Sequence, residues 1–214
     1  MGRCWWTAVT SAIWTGFRSC WNWEQTQSLE IVTARLVPIL LAAGADPNQA
    51  DSRNETPLRL ACKLGLTEAA TQLLDAGADI EGASKKTPLM EAALSSRQAV
   101  VELLLKRGAD VNGNADDRSS ALMLAAYGND DRQDAIEPIV RMLLNAGADV
   151  NAVRSKGLSA LHKAVKKERA TAIAVLLEHG ADPFVVDESG KDMLGHAGGA
   201  PKEIRRMIER AIEA

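Results

Sequence analysis

The triplet Gly-Ala-Asp occurs five times, at Gly44, Gly77, Gly108, Gly147 and Gly180, each time behind a leucine-rich run. The first, second and fourth intervals are nearly equal, while the third, from Gly108 to Gly147, is longer by several positions. A period of this size is one supersecondary unit, too small to bury an apolar face alone, so the units must stack and share a continuous core. Upstream of four of the glycines stands a second anchor: Thr56-Pro57-Leu58, Thr87-Pro88-Leu89, Ser120-Ala121-Leu122 and Ser159-Ala160-Leu161, with a degenerate Asp192-Met193-Leu194 after the fifth. The step from anchor to glycine is the same in three units, from Thr56 to Gly77, Thr87 to Gly108 and Ser159 to Gly180, and is six longer from Ser120 to Gly147.

Within a unit the apolar residues recur with helical spacing. Leu58, Ala61 and Cys62 follow i, i+3, i+4, and so do Ala69, Ala70, Leu73 and Leu74, which predicts two short amphipathic helices per unit and an all-α fold. Thr67 is expected to N-cap the second helix and Gly77 to end it in the left-handed conformation. Alanine at Ala61, Ala92, Ala125 and Ala164 keeps the first helix thin enough for neighbours to approach closely.

The recurring period, Thr56-Pro57-Leu58, Gly65 between the helices, Leu73-Leu74 and Gly77-Ala78-Asp79 resemble the ankyrin repeat, and Ser159-Ala-Leu-His162-Lys-Ala164 is a close variant of its opening. The resemblance covers residues 29–214. It implies a solenoid of stacked helix-turn-helix units with β-turn fingers, in units of about 29–50 (partial), 51–83, 84–114, 115–153, 154–186 and a C-terminal cap at 187–214. It also implies partner binding on the concave face of fingers and first helices.

Departures from the period carry their own expectations. Repeat 1 keeps only a second helix, within residues 29–43 and with Pro38 near its start, and its first helix is either supplied by the preceding residues or missing. The finger Ile80-Glu-Gly-Ala-Ser-Lys-Lys86 is two residues short. In the fourth unit Pro138 takes the place of Glu68, so six extra residues are absorbed between the helices, within residues 128–136, as a polar loop; Asp134 with Glu137 three later could instead cap an added helical turn. The final EIRRMIERAIEA reads as a capping helix with Ile204, Ile208 and Ile212 in one stripe and Met207 beside it.

Catalytic and metal chemistry find little support. Asp46, Asp79, Asp110, Asp149 and Asp182 occupy equivalent places, one per unit, and packed helices lie about 8–10 Å apart, too far for shared coordination; bonding to the N–H groups of their own turns is the expected role. Cys4, Cys20 and Cys62 have neither metal spacing nor an even count, which points to a reducing, intracellular compartment, most simply the cytoplasm. His162 is expected to tie adjacent turns, His179 and His196 are isolated, and Gly198-Gly199 lacks phosphate-loop spacing. No cofactor and no metal are implied, and the chain is expected to be a non-enzymatic monomer.

The contact positions that the resemblance implies lie in two sets. The fingers offer Ser52, Arg53 and Glu55; Ser84, Lys85 and Lys86; Asp116, Asp117 and Arg118; Arg154, Ser155, Lys156 and Leu158; and Glu188, Ser189 and Lys191. The first helices offer Arg59 and Lys63, Met90 and Leu94, Met123 and Tyr127, then His162, Lys166 and Lys167. These sets hold eleven Lys and Arg against four Asp and Glu, in a chain whose formal net charge is −3. Base concentrated on one face of an acidic chain selects a protein or peptide with an acidic segment, with Met90, Leu94, Met123 and Tyr127 as apolar anchors. Nucleic acid fits less well, because only one aromatic interleaves with the basic residues.

All five tryptophans lie ahead of Glu24. Trp6, Val9, Ile13 and Phe17 fall at roughly helical spacing, with Trp14 and Trp21 nearby and Arg3 and Arg18 as the only charged side chains before Glu24. Residues 1–28 therefore read as a hydrophobic extension or cap on repeat 1. Alternatively residues 1–23 tether an adaptor to a membrane surface. A regulatory subunit of an enzyme is a further alternative.

Overall fold

The structure, a computed structural model, describes residues 23–82, 86–113, 119–128, 133–153 and 156–213. Its helices follow the period in the sequence: α1 (Trp23–Ala42), α2 (Pro57–Leu64), α3 (Thr67–Asp75), α4 (Pro88–Leu94), α5 (Gln98–Lys106), α6 (Ala121–Tyr127), α7 (Gln133–Asn145), α8 (Ala160–Lys166), α9 (Ala170–Glu178), α10 (Met193–His196), a 3-10 turn Ala197–Gly199, and α11 (Lys202–Glu213). The first helices α2, α4, α6, α8 and α10 pack side by side in one row, and α1, α3, α5, α7, α9 and α11 in a second. Readings that concern residues 1–22 lie outside the described residues.

The anchors are helix N-caps. Thr56, Thr87 and Ser120 each accept, through the side-chain oxygen, the backbone N–H three residues on, from Arg59, Met90 and Met123. Asp192 does the same for Gly195. The leucine pairs before each Gly-Ala have an equally specific backbone role. At Gly77 the glycine N–H donates to Leu74 O and the following Ala78 N–H reaches back to Leu73 O, and the other four copies repeat both bonds. This closing motif needs a left-handed residue, and Gly77 adopts φ 88°. Ala61, Ala92, Ala125 and Ala164 are all buried where first helices meet.

Thr67 is the first residue of α3 and not its cap. Leu66 caps, without a side-chain bond, because its N–H already closes α2 onto Ala61 O. The turn is so tight that one residue ends one helix and begins the next. Arg97 and Arg169 repeat this, after left-handed Ser96 and Glu168.

Repeat 1 departs from expectation. Its helix runs unbroken for 20 residues, and Pro38 lies deep inside it instead of near its start. By register Val32 stands where Gly65 turns the chain in repeat 2, and a β-branched residue resists the left-handed conformation that the turn requires. Pro38 has no N–H for the Ala34 carbonyl four residues back, and Gln72 of α3 donates its side-chain amide to that carbonyl at 3.1 Å.

The insertion in the fourth unit is another correction. Pro138 is inside α7 and not at its first position, because α7 starts at Gln133 and has 13 residues where α3, α5 and α9 have nine. From Gln133 the helix gains four residues, about one turn with Asp134 in it, and Ile136 is buried, while residues 129–132 of the expected loop lie outside the described residues.

The fingers are tied sideways. In each unit the aspartate of Gly-Ala-Asp accepts the backbone N–H two residues on, at Asn48, Glu81, Asn112, Asn151 and Phe184. Three of those residues then bridge to the next unit. Asn48 donates to Gly77 O and accepts from Asp79 N–H, Asn112 does both at Gly147 and Asp149, and Asn151 at Gly180 and Asp182. Glu81 replaces asparagine in the second unit and keeps only the accepting half, from Asp110 N–H at 2.7 Å. A Cβ on Gly157 would lie 3.1 Å from the Asp187 Cα and the Val186 carbonyl, so glycine lets these two fingers touch through their backbones.

At the C-terminal end Ile204 and Ile208 of α11 are buried, with Met207 and Ile212 packed against the core. Among the described residues no helix is long and apolar enough to cross a membrane.

Candidate functional site

Contacts between first helices define which way each side chain faces. Arg59, three residues after its anchor, reaches forward to Glu91, four residues after the next, at 3.8 Å. Tyr127, seven after its anchor, lies under Lys163 and Lys167 of the following unit, whose ammonium groups sit 5.1 and 4.4 Å from the ring centroid. Positions three and seven thus face the next unit, and positions four and eight the previous one.

The two ends of this face differ in charge. In repeat 2 Arg59 is held between Glu55, at 3.1 Å, and Glu91, which is only 5% exposed. Arg53 at the fingertip pairs with Asp51 at 3.5 Å, and the Lys63 carbonyl accepts from Arg97 Nε. Base there is offset by acid. In repeat 5 Lys166 and Lys167 of the α8 end are exposed and Lys163 is half-buried beside Tyr127. A cation over an aromatic face gains attraction from the ring quadrupole, about 0.5–1 kcal/mol at exposed sites, and the pair of lysines holds the ring in place.

Four of the expected contact residues are not available on this face. Met90, Leu94, Met123 and His162 are buried, at 0, 7, 1 and 1% exposure. Each sits where its own helix presses on the next unit, so the apolar anchors expected of Met90, Leu94 and Met123 are core. Lys86 is half-buried and Lys156 is exposed; Lys85, Arg118 and Arg154 lie outside the described residues. Sequence reasoning missed Lys163 and Glu91, which share the fourth position after the anchor. The i, i+4 spacing of Lys163 and Lys167 was the available signal.

His162 shows what the repeat does with a histidine. Its Nδ1 accepts the Ser159 backbone N–H at 3.2 Å and stands 2.9 Å from Ser159 Oγ, a capping box for α8. A hydroxyl beside an imidazole resembles a nucleophile and its base, but both residues are buried and the ring nitrogen is committed to the helix end. Burial pushes the His162 pKa down to about 4, and the neighbouring His196 acts in the same direction. The His196 ring meets His162 edge to face at 5.0 Å, and its Nε2 contacts Asp187 Oδ2 at 2.9 Å. Bonds from Ser189, Lys191 and His196 hold the Asp187 carboxyl well below the usual range. Burial, with the charge of Glu91, raises the Cys62 thiol, which stays unreactive.

A family profile described as "Ankyrin repeats (3 copies)" matches residues 30–115 and 113–187. Neurogenic locus notch homolog protein 1 of Mus musculus is 38% identical over 138 residues, which is 63% of this chain and 5% of that protein. The Danio rerio protein of the same name is 33% identical over 163 residues, 74% of this chain and 6% of its own length. Neurogenic locus notch homolog protein 2 of Homo sapiens is 34% identical over 168 residues, 77% of this chain and 7% of that protein. The chain therefore spans only a small part of these relatives.

Proposed function

Because the chain belongs to the ankyrin-repeat family of protein–protein interaction modules, we propose that it is a non-enzymatic binding module whose partner carries an acidic segment, received on the first-helix face of repeats 4 and 5. The observation that carries this reading is Tyr127 held under Lys163 and Lys167 with Lys166 exposed beside them. A half-buried ring gives an incoming side chain an apolar contact, and the ammonium groups around it give the partner's carboxylates their counter-charge. The N-terminal end serves this role poorly, since Arg59 already has two carboxylates. A surface preorganised by stacked helices loses little freedom on binding, which favours affinity without a large conformational change.

Panning a random peptide library on the purified full chain tests the reading. Selected peptides should be rich in Asp and Glu, and Lys166→Glu/Lys167→Glu should weaken them by about tenfold or more, roughly 1.4 kcal/mol. Arg53→Glu, at a fingertip already paired with Asp51, should change affinity far less. Selection of neutral or basic peptides, or equal retention by the double variant, would overturn it.

A further inference from the structure

The row of first helices has an unmatched end. α4, α6 and α8 each have a first helix on both sides, but among the described residues α2 has none before it, because α1 runs straight through the positions where other units turn back. The positions of α2 that face the missing neighbour are the fourth and eighth after its anchor. Elsewhere these positions answer what lies opposite: Glu91 meets Arg59, and Lys163 and Lys167 meet Tyr127. In α2 they are Leu60 and Leu64, both partly exposed. With Leu36, Val37 and Leu40 of α1 and with Leu66 they line a groove around a void of about 40 Å³. Leu36 is 37% and Ile39 of the same helix 64% exposed. Leucines left open in a stack otherwise closed by neighbours mark a surface that lacks its cover.

We propose that this groove is the docking site of the chain's own tryptophan-rich segment, residues 5–21. That segment joins the groove covalently, through Trp23 at the start of α1, and so is present at high effective concentration. Its apolar residues, Trp5, Trp6, Ile13, Trp14, Phe17 and Trp21 among them, match a groove lined by leucine, and it holds no acid. Reach is sufficient. The part of α1 that precedes Thr33 extends about 15 Å at about 1.5 Å per residue, and the chain from Met1 to Asn22 can span several times that distance. Docking would give α2 the neighbour that each later first helix has, built from tryptophan in place of a repeat.

The tryptophans are their own probe, since all five precede Glu24 and none lies in the repeats. In the full-length protein their emission should be blue-shifted and protected from acrylamide, independently of protein concentration. Leu64→Glu should shift emission to the red and raise quenching several-fold while the helical signal of the later repeats persists. Leu64→Cys supplies a variant that keeps the groove apolar. Under mild oxidation it should link to Cys4 or Cys20 within one chain, as found by peptide mapping, because the buried Cys62 thiol is raised and slow to compete. Solvent-exposed tryptophans in the wild type, protection that vanishes on dilution as a second copy would require, protection seen only with added anionic vesicles, or no link from Leu64→Cys would each overturn the proposal.

Discussion

His162 shows how a single side chain sets the pH response of a stack. Neutral, it accepts the Ser159 N–H; protonated, it would lose that bond and bury a charge. Its pKa is about 4 in the fold and near 6.5 in the unfolded chain. Between these values the unfolded chain binds a proton that the folded chain refuses. Its contribution is therefore complete above about pH 6.5 and is lost as the pH falls through 4. The loss is on the order of 3 kcal/mol at the acid end. His162→Gln keeps a capping-box side chain that does not titrate. Urea unfolding of both proteins from pH 7.5 to 4 should show the wild type losing more stability than the variant in that window; parallel curves would remove His162 as the cause. The helix-capping role of His162 could be read from its place three residues after Ser159, whereas its burial could not. Burial at that position depends on a contact with the following unit, and that burial is the main cause of the low pKa, with His196 of that unit adding to it and Asp187 opposing it.

At the level of the element, finger and helix-end chemistry account for most of what was legible. Anchors, leucine pairs and glycines recur because each satisfies a particular backbone group, so their spacing marks helices even without an image of the stack. Expectations failed where an element's fate rests on one unusual residue. Pro138 looked like a helix start, but a buried Ile136 repays an added turn ahead of it. Pro38 looked like another, but Gln72 from the neighbouring helix takes the carbonyl that the proline leaves. Four residues of the expected contact face, Met90, Leu94, Met123 and His162, are buried, because only the packing of the next unit decides whether these positions stay open. Glu81 is the clearest irregular element in the fingers. Its carboxylate has no hydrogen to give the Gly108 carbonyl, where asparagine would both give and accept. Glu81→Asn should restore the missing bond and raise stability by about 1 kcal/mol. An unchanged urea midpoint would show that the second half of the bridge adds nothing.

For the molecule as a whole, stability is a sum over neighbouring interfaces and not over one central core. Leu104, fully buried in α5, touches this sum at its middle. Leu104→Ala should cost roughly 2–5 kcal/mol. Because loss at one unit weakens only its neighbours directly, hydrogen exchange should quicken first in α3 to α7 while α9 and α11 keep their protection. Uniform acceleration along the chain would instead indicate one cooperative block. The same architecture decides how the protein answers to force. A coil pulled from its ends lengthens where its turns are least fastened to one another, and the asparagine bridges are such fastenings between repeats 1 and 2, 3 and 4, and 4 and 5. Glu81 leaves a single side-chain tie of this kind between repeats 2 and 3. The chain is in this sense a spring whose finger side is soft at one step, while Arg107–Asp75, at 2.8 Å, and Arg59–Glu91 clasp the helices of that same step.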